Sequence, residues 1–509
     1  MRSNDTTAHR NEHVVIVGSG FAGLGLAIQL KRAGIDDFTI LERSDRVGGV
    51  WRDNTYPGLC CDVPSHLYSF SFEPNPSWSR VYSPQAEILA YLERCAVKYG
   101  VLSHIRFGTT VTSARFDEGT GLWSVFTSAG TKLDARVLVS AAGHALSKPV
   151  LPNIEGRDTF AGKSMHSARW DHEYSLDGRT VAVVGTGASA VQIIPTIAPK
   201  VRAMHVFQRT AAWVMPKLDR DVAPAIRNVF ARAPVAQMAA RCAIYLAQES
   251  LAPIALRPAL GGLVERYATK YLHDSVTDPD LRAKLTPTFR PGCKRMLLSN
   301  DYYPALQRAN VEVVTDRIAE IRAHSVVTAD GRERPVDTIV YATGYEAAEA
   351  KPPFEVVGRH GQTLADAWHD GGEAYLATTV SGFPNFFLIL GPNVGLGHNS
   401  MIFMMESQFA YVLGAIKDIR ARALAYVDLR LEHQQRYNAW IQKRLENTVW
   451  NSGGCQSWYL TQSGKNTTMW PGFTFEYRVR TRRFDREHYE CVERHGVRAA
   501  APYAGTAQA

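Results

Sequence analysis

Cysteine is scarce in this chain of 509 residues: seven occur, an odd number, at positions 60, 61, 95, 242, 293, 455 and 491. None forms a C-x-x-C or C-x-x-x-x-C pair, so no dithiol redox motif is present, and no zinc spacing or disulfide framework is recognisable. This usage favours a reducing compartment. The histidines are dispersed, and none joins an H-x-x-x-H pair with a third ligand, so no metal centre is expected. Long apolar runs are also missing. No window approaches the ~18 uncharged apolar residues of a spanning helix, and the polar start MRSNDTTAHRNEH lacks the apolar core of a signal peptide. A cytoplasmic location without a transmembrane segment is the expectation. Basic residues outnumber acidic ones by 57 to 49, yet no basic run stands out. Nucleic acid is therefore not an expected partner, and the surplus suits clefts that attract small anions.

What is present is ordinary globular composition, 45% apolar and 21% charged, enough for about three structural units. The stretch HVVIVGSGFAGLGLAIQL reads as a buried strand, a glycine turn and a helix, and FTILER follows as a second strand. TVAVVGTGASAVQIIPTIA repeats the pattern and leads into the strand AMHVFQR. Two such units mean two nucleotides, or a duplicated fold with one dead site. LWSVFTSAG and ARVLVSAAG read as short strands between them. Residues 219–285 are Ala-rich and helical in pattern, cut by prolines at 224, 234, 253 and 258. DTIVYATGY returns to strand character, and the last two dozen residues read as a frayed tail.

The two glycine turns differ in one informative way. Gly18, Gly20 and Gly23 form G-x-G-x-x-G, with Phe21 opening the helix. The first glycine permits the turn, the second lets backbone approach a pyrophosphate, and the third lets helix and strand pack closely. Glu42 ends the second strand 24 residues after Gly18, where a carboxylate accepts from ribose hydroxyls. The second turn is Gly185, Gly187 and Ala190, and 24 residues after Gly185 stands Arg209, followed by Thr210. A guanidinium there forks onto a 2′-phosphate. The first site should therefore take FAD or NAD, and the second NADPH.

FAGKSMHSARWD, residues 160–171, has Phe160, Gly162, His166, Trp170 and Asp171 in the pattern F-x-G-x-x-x-H-x-x-x-W-D. It resembles the fingerprint of Baeyer-Villiger monooxygenases. GGVWRDNTYPGLCCD, residues 48–62, resembles their other fingerprint, with Gly49, Trp51, Pro57, Gly58 and Asp62 in place. The likeness continues through QRT at 208–210, GCKR at 292–295, ATGY at 342–345, LGPN at 390–393 and QSW at 456–458, covering about residues 12–475.

This resemblance implies an α/β fold of two Rossmann-like dinucleotide-binding domains, one for FAD and one for NADP, with a helical insertion. The expected division is 1–146 and 345–509 for FAD, 147–218 and 286–344 for NADP, and 219–285 for the insertion. The implied reaction uses O2 and NADPH to convert a ketone to an ester or lactone through a flavin-bound peroxide. Arg295 would stabilise that anion and the tetrahedral adduct, since a guanidinium stays charged at any working pH, and Asp62 would pair with it. FAD would be lined by Val50, Trp51, Arg52, Asp53, Asp62, Tyr68, Val111 and Met401. NADP would be held by Cys60, Cys61, Thr186, Gly187, Ala188, Ser189, Ala190, Val191, Gln192, Arg209, Thr210, Lys294, Arg295 and Trp458. The His166 and Trp170 fingerprint would act from the interdomain linker, holding one of two domain orientations. Alternatives are a flavin monooxygenase of soft nitrogen or sulfur, and an NADPH oxidase or redox sensor. Which ketone is used, and the oligomeric state, are not legible in the sequence.

Overall fold

The computed structural model describes residues 13–143, 149–345, 353–455 and 457–494. Two five-stranded parallel sheets organise it, and each grows around one of the apolar strands read above. In the first, the order is Phe386–Leu388, Val137–Ser140, Val14–Val17, Phe38–Leu41, Ile105–Arg106. In the second it is Val311–Val314, Ala203–Phe207, Thr180–Val184, Thr338–Tyr341, Lys163–His166. The central strands read VVIV and TVAVV because both faces are covered, as parallel sheets require. A smaller sheet of Glu355–Val357, Val111–Asp117, Leu122–Thr127 and Lys132–Ala135 packs beside the first.

The glycine turns occupy equivalent places in the two sheets. Gly18 has φ 101° and Gly185 φ 113°, so both need the left-handed freedom of glycine. A Cβ at Gly18 would lie 2.8 Å from the carbonyl oxygen of Ala141, and one at Gly185 would lie 2.5 Å from that of Ala342. The return strands VLVS and TIVY thus end against the two turns in the same way. At the third position the units part: a Cβ on Gly23 would come 1.9 Å from Gly18 O, whereas Ala190 is accommodated and fully buried.

The helical insertion is observed as Pro224–Arg232, Pro234–Glu249, Ala252–Leu256, Gly261–Ser275 and Pro279–Leu285. Prolines stand in the first turn of four of these, where the missing N–H costs nothing. Helix Pro234–Glu249 docks with its polar side inward. Gln237 donates to Asn75 O (2.7 Å), Arg241 to His66 O (2.6 Å) and Ser69 O (3.0 Å), and Tyr245 pairs with Thr474 Oγ1 (2.9 Å). Glu249 accepts from Asn399 Nδ2 (2.6 Å) and the Thr474 amide (2.5 Å). These four residues recur every fourth position, so one helix face carries the whole row.

The stretch read as a frayed tail includes a strand. Tyr489–Glu493 is a strand paired antiparallel with Leu424–Leu429, and Tyr489 is buried; the residues after 494 lie outside the described ones. The run YECVE shows no clean alternation, and a long-range partner strand turns that weak pattern into a strand. No described helix is long and apolar enough to cross a membrane.

Gly23→Ala should overpack the first turn by roughly 1–3 kcal/mol. The expected outcome is a lower Tm together with loss of bound flavin on gel filtration, and Gly262→Ala, with open space around it and no positive φ, should retain the flavin.

Candidate active site

Three segments converge where the two sheets meet. The first is the stretch 48–62. Gly49 opens its short helix Val50–Asp53 with φ 55° and faces Gly20, the Cα of which would lie 3.0 Å from a Gly49 Cβ. Two glycines opposed in this way leave a bare backbone cradle beside the first turn. Trp51 donates to the Tyr68 hydroxyl (3.1 Å), and the ring of Phe21 meets Tyr68 edge-on at 5.4 Å. Burial pushes the Tyr68 hydroxyl well above its ordinary value. Val111 starts its strand near Glu42, to which Thr109 N donates at the carbonyl (2.8 Å). Met401 opens the long helix Met401–Ala421, capped by Ser400 and packed on helix Phe21–Arg32.

Glu42 is buried, and its carboxylate already holds four protein donors. Oε2 accepts from the Ser19 amide (2.9 Å) and hydroxyl (2.6 Å), and Oε1 from the Ser44 amide (2.9 Å) and Arg52 Nη1 (3.0 Å). Arg52 is equally buried and also engages Asp53 and the Arg46 carbonyl. Its guanidinium is directed into the protein, so it bears on any ligand of the first turn through Glu42.

The second segment is the 184–192 turn. Thr186 Oγ1 donates to Thr210 O (3.2 Å), and a Cβ at Gly187 would meet nothing within 4 Å. Ala188 and Ser189 lead into helix Ala190–Ile197, whose buried Val191 packs on the sheet. Gln192 reaches back to the first segment, donating to Cys60 O (2.9 Å) and accepting from Tyr56 OH (3.2 Å). Gly58, with φ 79°, abuts this helix so closely that a Cβ would lie 2.6 Å from Gln192 O. A cavity of about 440 Å³ opens along Tyr56, Gly58, Cys60, Arg80 and Tyr82.

The third segment is the turn 290–295. Its far end is fixed by the two-residue ladder of Val214–Met215 with Leu297–Leu298 and by Trp213, whose indole N–H donates to Phe289 O (2.7 Å). Arg295 thereby meets Asp62: Nε (2.8 Å) and Nη2 (2.6 Å) both donate to Oδ2. The Asp62 charge raises the guanidinium further above its already high value. Nη1 has no acceptor among the described residues. Tyr459, buried beside the pair, is pushed up to about 12, chiefly by burial. Lys294 turns the other way, over the Phe289 ring at 5.2 Å. Burial and then the nearby Arg209 lower its ammonium below the ordinary lysine value. Neither Arg209 nor Lys294 has a carboxylate partner among the described residues, so two cations share a place that holds no anion from the protein.

The 160–171 fingerprint lies at the edge of the second sheet. A Cβ on Gly162 would strike Asp337 O at 2.5 Å and the Phe160 ring at 2.6 Å. His166 pairs in register with Tyr341, its Nδ1 accepts from the Ala168 amide (3.1 Å), and its ring meets Tyr345 edge-on at 6.2 Å. Burial lowers its imidazole below the ordinary histidine value. Asp171 pairs with Lys163, and Trp170 packs partly buried on the second core. Tyr345 OH donates to Asn54 Oδ1 (2.8 Å), and His172 meets Thr55 Oγ1 (2.8 Å), so the two fingerprints touch through the connecting chain.

One sequence expectation is overturned. No disulfide was expected, yet Cys293 and Cys455 are bonded across 162 positions of sequence. Spacing rules miss such a pair; the available signal was that each cysteine borders a site motif, GCKR or QSW. Gln456 of the latter lies outside the described residues, while Trp458 is 45% exposed and stacks edge-on with Tyr459 at 4.5 Å. Lys217, Tyr56 and Tyr459 were also missed. Lys217 Nζ lies 2.8 Å from Cys60 Sγ with no motif to flag it, whereas Tyr56 stands within the 48–62 stretch and Tyr459 directly follows QSW.

An α/β enzyme with two dinucleotide turns and an arginine–aspartate pair between them is the class that this geometry defines. Residues 11–354 match the model of the flavin-binding monooxygenase-like family. A Baeyer-Villiger monooxygenase of Pseudomonas aeruginosa is 46% identical over 95% of this chain and 92% of its own length. One of Streptomyces coelicolor is 47% identical over 95% and 93%. Among solved structures, an oxidised steroid monooxygenase bound to NADP superposes with TM-score 0.85 at 32% identity, covering 94% of this chain and 99% of its own. A cyclohexanone monooxygenase from Rhodococcus sp. Phi1 bound to NADP+ gives 0.85 at 27% over the same shares. The chain belongs to the flavin-binding monooxygenase-like family and, within it, to the Baeyer-Villiger monooxygenases.

Arg52→Ala leaves the buried Glu42 carboxylate without its cation, a change that typically costs about 3–5 kcal/mol. Thermal unfolding should move down by several degrees and flavin content should fall. Arg43→Ala, which removes a solvent-exposed partner of Asp53, should change neither by a measurable amount.

Proposed function

We propose that this chain, carrying FAD and NADPH, inserts one atom of O2 beside the carbonyl of a ketone, giving an ester or lactone while the other oxygen leaves as water. The cradle at Gly20 and Gly49 suits a pyrophosphate, and the unpartnered Arg209 and Lys294 suit a 2′-phosphate, so the residues fit both dinucleotides. When bound, NADPH supplies the hydride and the reduced flavin supplies activated oxygen.

The observation that carries this reading is the Asp62–Arg295 pair, with both its bonds on one carboxylate oxygen and Nη1 left over. Asp62 fixes the plane of the guanidinium, and Nη1 is the donor free to meet negative charge developing on oxygen during attack on a carbonyl. Because the guanidinium keeps its proton at every working pH, it supplies charge and does not deliver a proton that would end the reaction early. Arg209, Lys294 and Thr210 hold the 2′-phosphate. Cys60, Cys61 and residues 186–192 run along the remainder of that dinucleotide. Trp458, exposed on its loop, closes over the nicotinamide side and keeps water out. Val50, Trp51, Asp53, Tyr68, Val111 and Met401 line the flavin, and Arg52 acts through Glu42. His166, Trp170 and Asp171 set the angle at which the NADP-binding part meets the FAD-binding part. The proposed parts are 1–146 with 345–509, and 147–218 with 286–344.

A panel of linear, cyclic and aryl ketones, with NADPH consumption and ester formation measured side by side, tests the reading. Near-equal amounts are expected with at least one ketone. Arg295→Ala should still consume NADPH while ester formation falls by about two orders of magnitude, the usual effect of losing one preorganised donor; retained oxygenation would remove Arg295 from the chemistry.

The phosphate site makes a pH prediction. A bound phosphate favours protonated Lys294, whose value is lowered in the free enzyme. Affinity for NADP+ should therefore be level below that lowered value and fall as pH rises through it. Lys294→Met should flatten the fall, and Arg209→Ala should reduce the preference for NADPH over NADH by roughly tenfold or more.

A further inference from the structure

The Cys293–Cys455 bond joins the turn that ends in Arg295 to the segment that leads into Trp458. Around it the packing is close. Cys293 is buried, Arg290 N donates to Gly453 O (2.9 Å), and a Cβ at Gly453 would lie 2.6 Å from Cys293 Cβ. Gly292, with φ 89°, would touch Val449 Cγ1 at 3.2 Å. The turn and helix Val449–Ser452 are therefore one packed body. Trp458 itself is half exposed and its ring meets the neighbouring Tyr459, so it stands between two anchors, the disulfide at Cys455 and the buried Tyr459. Among the described residues the disulfide is the nearest tertiary fixture on the N-terminal side of the tryptophan.

We propose that Cys293–Cys455 is a redox-controlled positioning bond: closed, it holds the Arg295 turn and the Trp458 segment in register across the nicotinamide site, and opened, it frees the segment so that NADP+ escapes and water enters. This rests on the roles given above to Arg295 and Trp458. The more accessible Cys455 sulfur takes the attack of a dithiol reductant, and Cys293 leaves as a thiolate. Two electrons and two protons pass from the reductant, which becomes a cyclic disulfide, to the two protein thiols. Closure reverses this with a peroxide oxidant. One thiol becomes a sulfenic acid with release of water, and the second thiol displaces a further water to form the bond. Opening removes a chain constraint without removing any side chain that touches a ligand.

The test uses the flavin-loaded full chain. Denatured without reductant it should titrate five thiols, those of Cys60, Cys61, Cys95, Cys242 and Cys491, and after reduction seven. Reduction by dithiothreitol, or Cys455→Ser, should weaken NADP+ binding roughly fivefold or more, the lower range for coupled sites. The share of NADPH consumed that appears as hydrogen peroxide should rise by a similar factor. Removing the reductant and reoxidising with dilute peroxide should restore both in the natural sequence and not in Cys455→Ser. Cys242→Ser and Cys491→Ser should behave as the parent. If Cys455→Ser does not fold, the parent protein compared in its two redox states decides alone. Seven thiols before reduction overturn the proposal, as do equal NADP+ affinity and peroxide share in the two states. Redox-blind coupling with ester still formed removes the positioning bond alone. A redox-dependent NADP+ affinity with no ester from any ketone removes the ketone reading and leaves the bond in place.

Discussion

One carboxylate oxygen holds this site together. Oδ2 of Asp62 takes two donors from Arg295, and the two residues come from stretches 233 positions apart in sequence. Both side chains are about one-third exposed, so as a contribution to stability the pair is worth roughly 0–1 kcal/mol. Its value lies in geometry. It fixes one end of the guanidinium and leaves the other end without an acceptor among the described residues, at the junction of the two sheets. Everything else near it serves to bring those two side chains together and to keep them there.

Close backbone approach is how that is done. Gly58 lets the stretch carrying Asp62 press against Gln192 of the second unit's helix, and Gln192 then bonds Cys60 and Tyr56. Gly162 lets the fingerprint strand pass Asp337, so that His166 stands opposite Tyr341. A Cβ at Gly58 would strike the second unit's helix, and one at Gly162 would strike Asp337 within the second unit itself, so neither position accepts a side chain without displacement. The insertion helix Pro234–Glu249 adds a polar row of contacts to the first unit. Gln237, Arg241 and Glu249 are buried, so this row holds the insertion to the first unit by hydrogen bonds made out of contact with water. The Cys293–Cys455 bond is the covalent exception, placed where two site segments meet.

Much of this was readable in advance. The two strand–turn–helix units, the glycine positions, the helical insertion and the contrast of Glu42 with Arg209 follow from local rules: periodicity, turn chemistry and charge at a fixed spacing. The Asp62–Arg295 pairing followed from family resemblance and is met in the structure as a contact. Other features were not legible. The ion pair of Arg52 with the buried Glu42 was one, because a buried carboxylate draws the nearest cation regardless of motif. The strand Tyr489–Glu493 looked like a frayed tail because its partner is more than fifty residues away. The disulfide was missed because its two halves are 162 positions apart.

By itself the sequence determined which segments are strands and helices, where the backbone must turn without a side chain, and which charge stands at each ribose position. Those are short-range properties, set by residues within a few positions of one another. Only the tertiary structure decided which lone charges meet, which are already satisfied, and which remain free. Arg295 finds Asp62, Arg52 is used up by Glu42, and Arg209 with Lys294 is left without an anion among the described residues. Pairing over hundreds of residues depends on how two sheets are set against each other, and no local pattern encodes that distance.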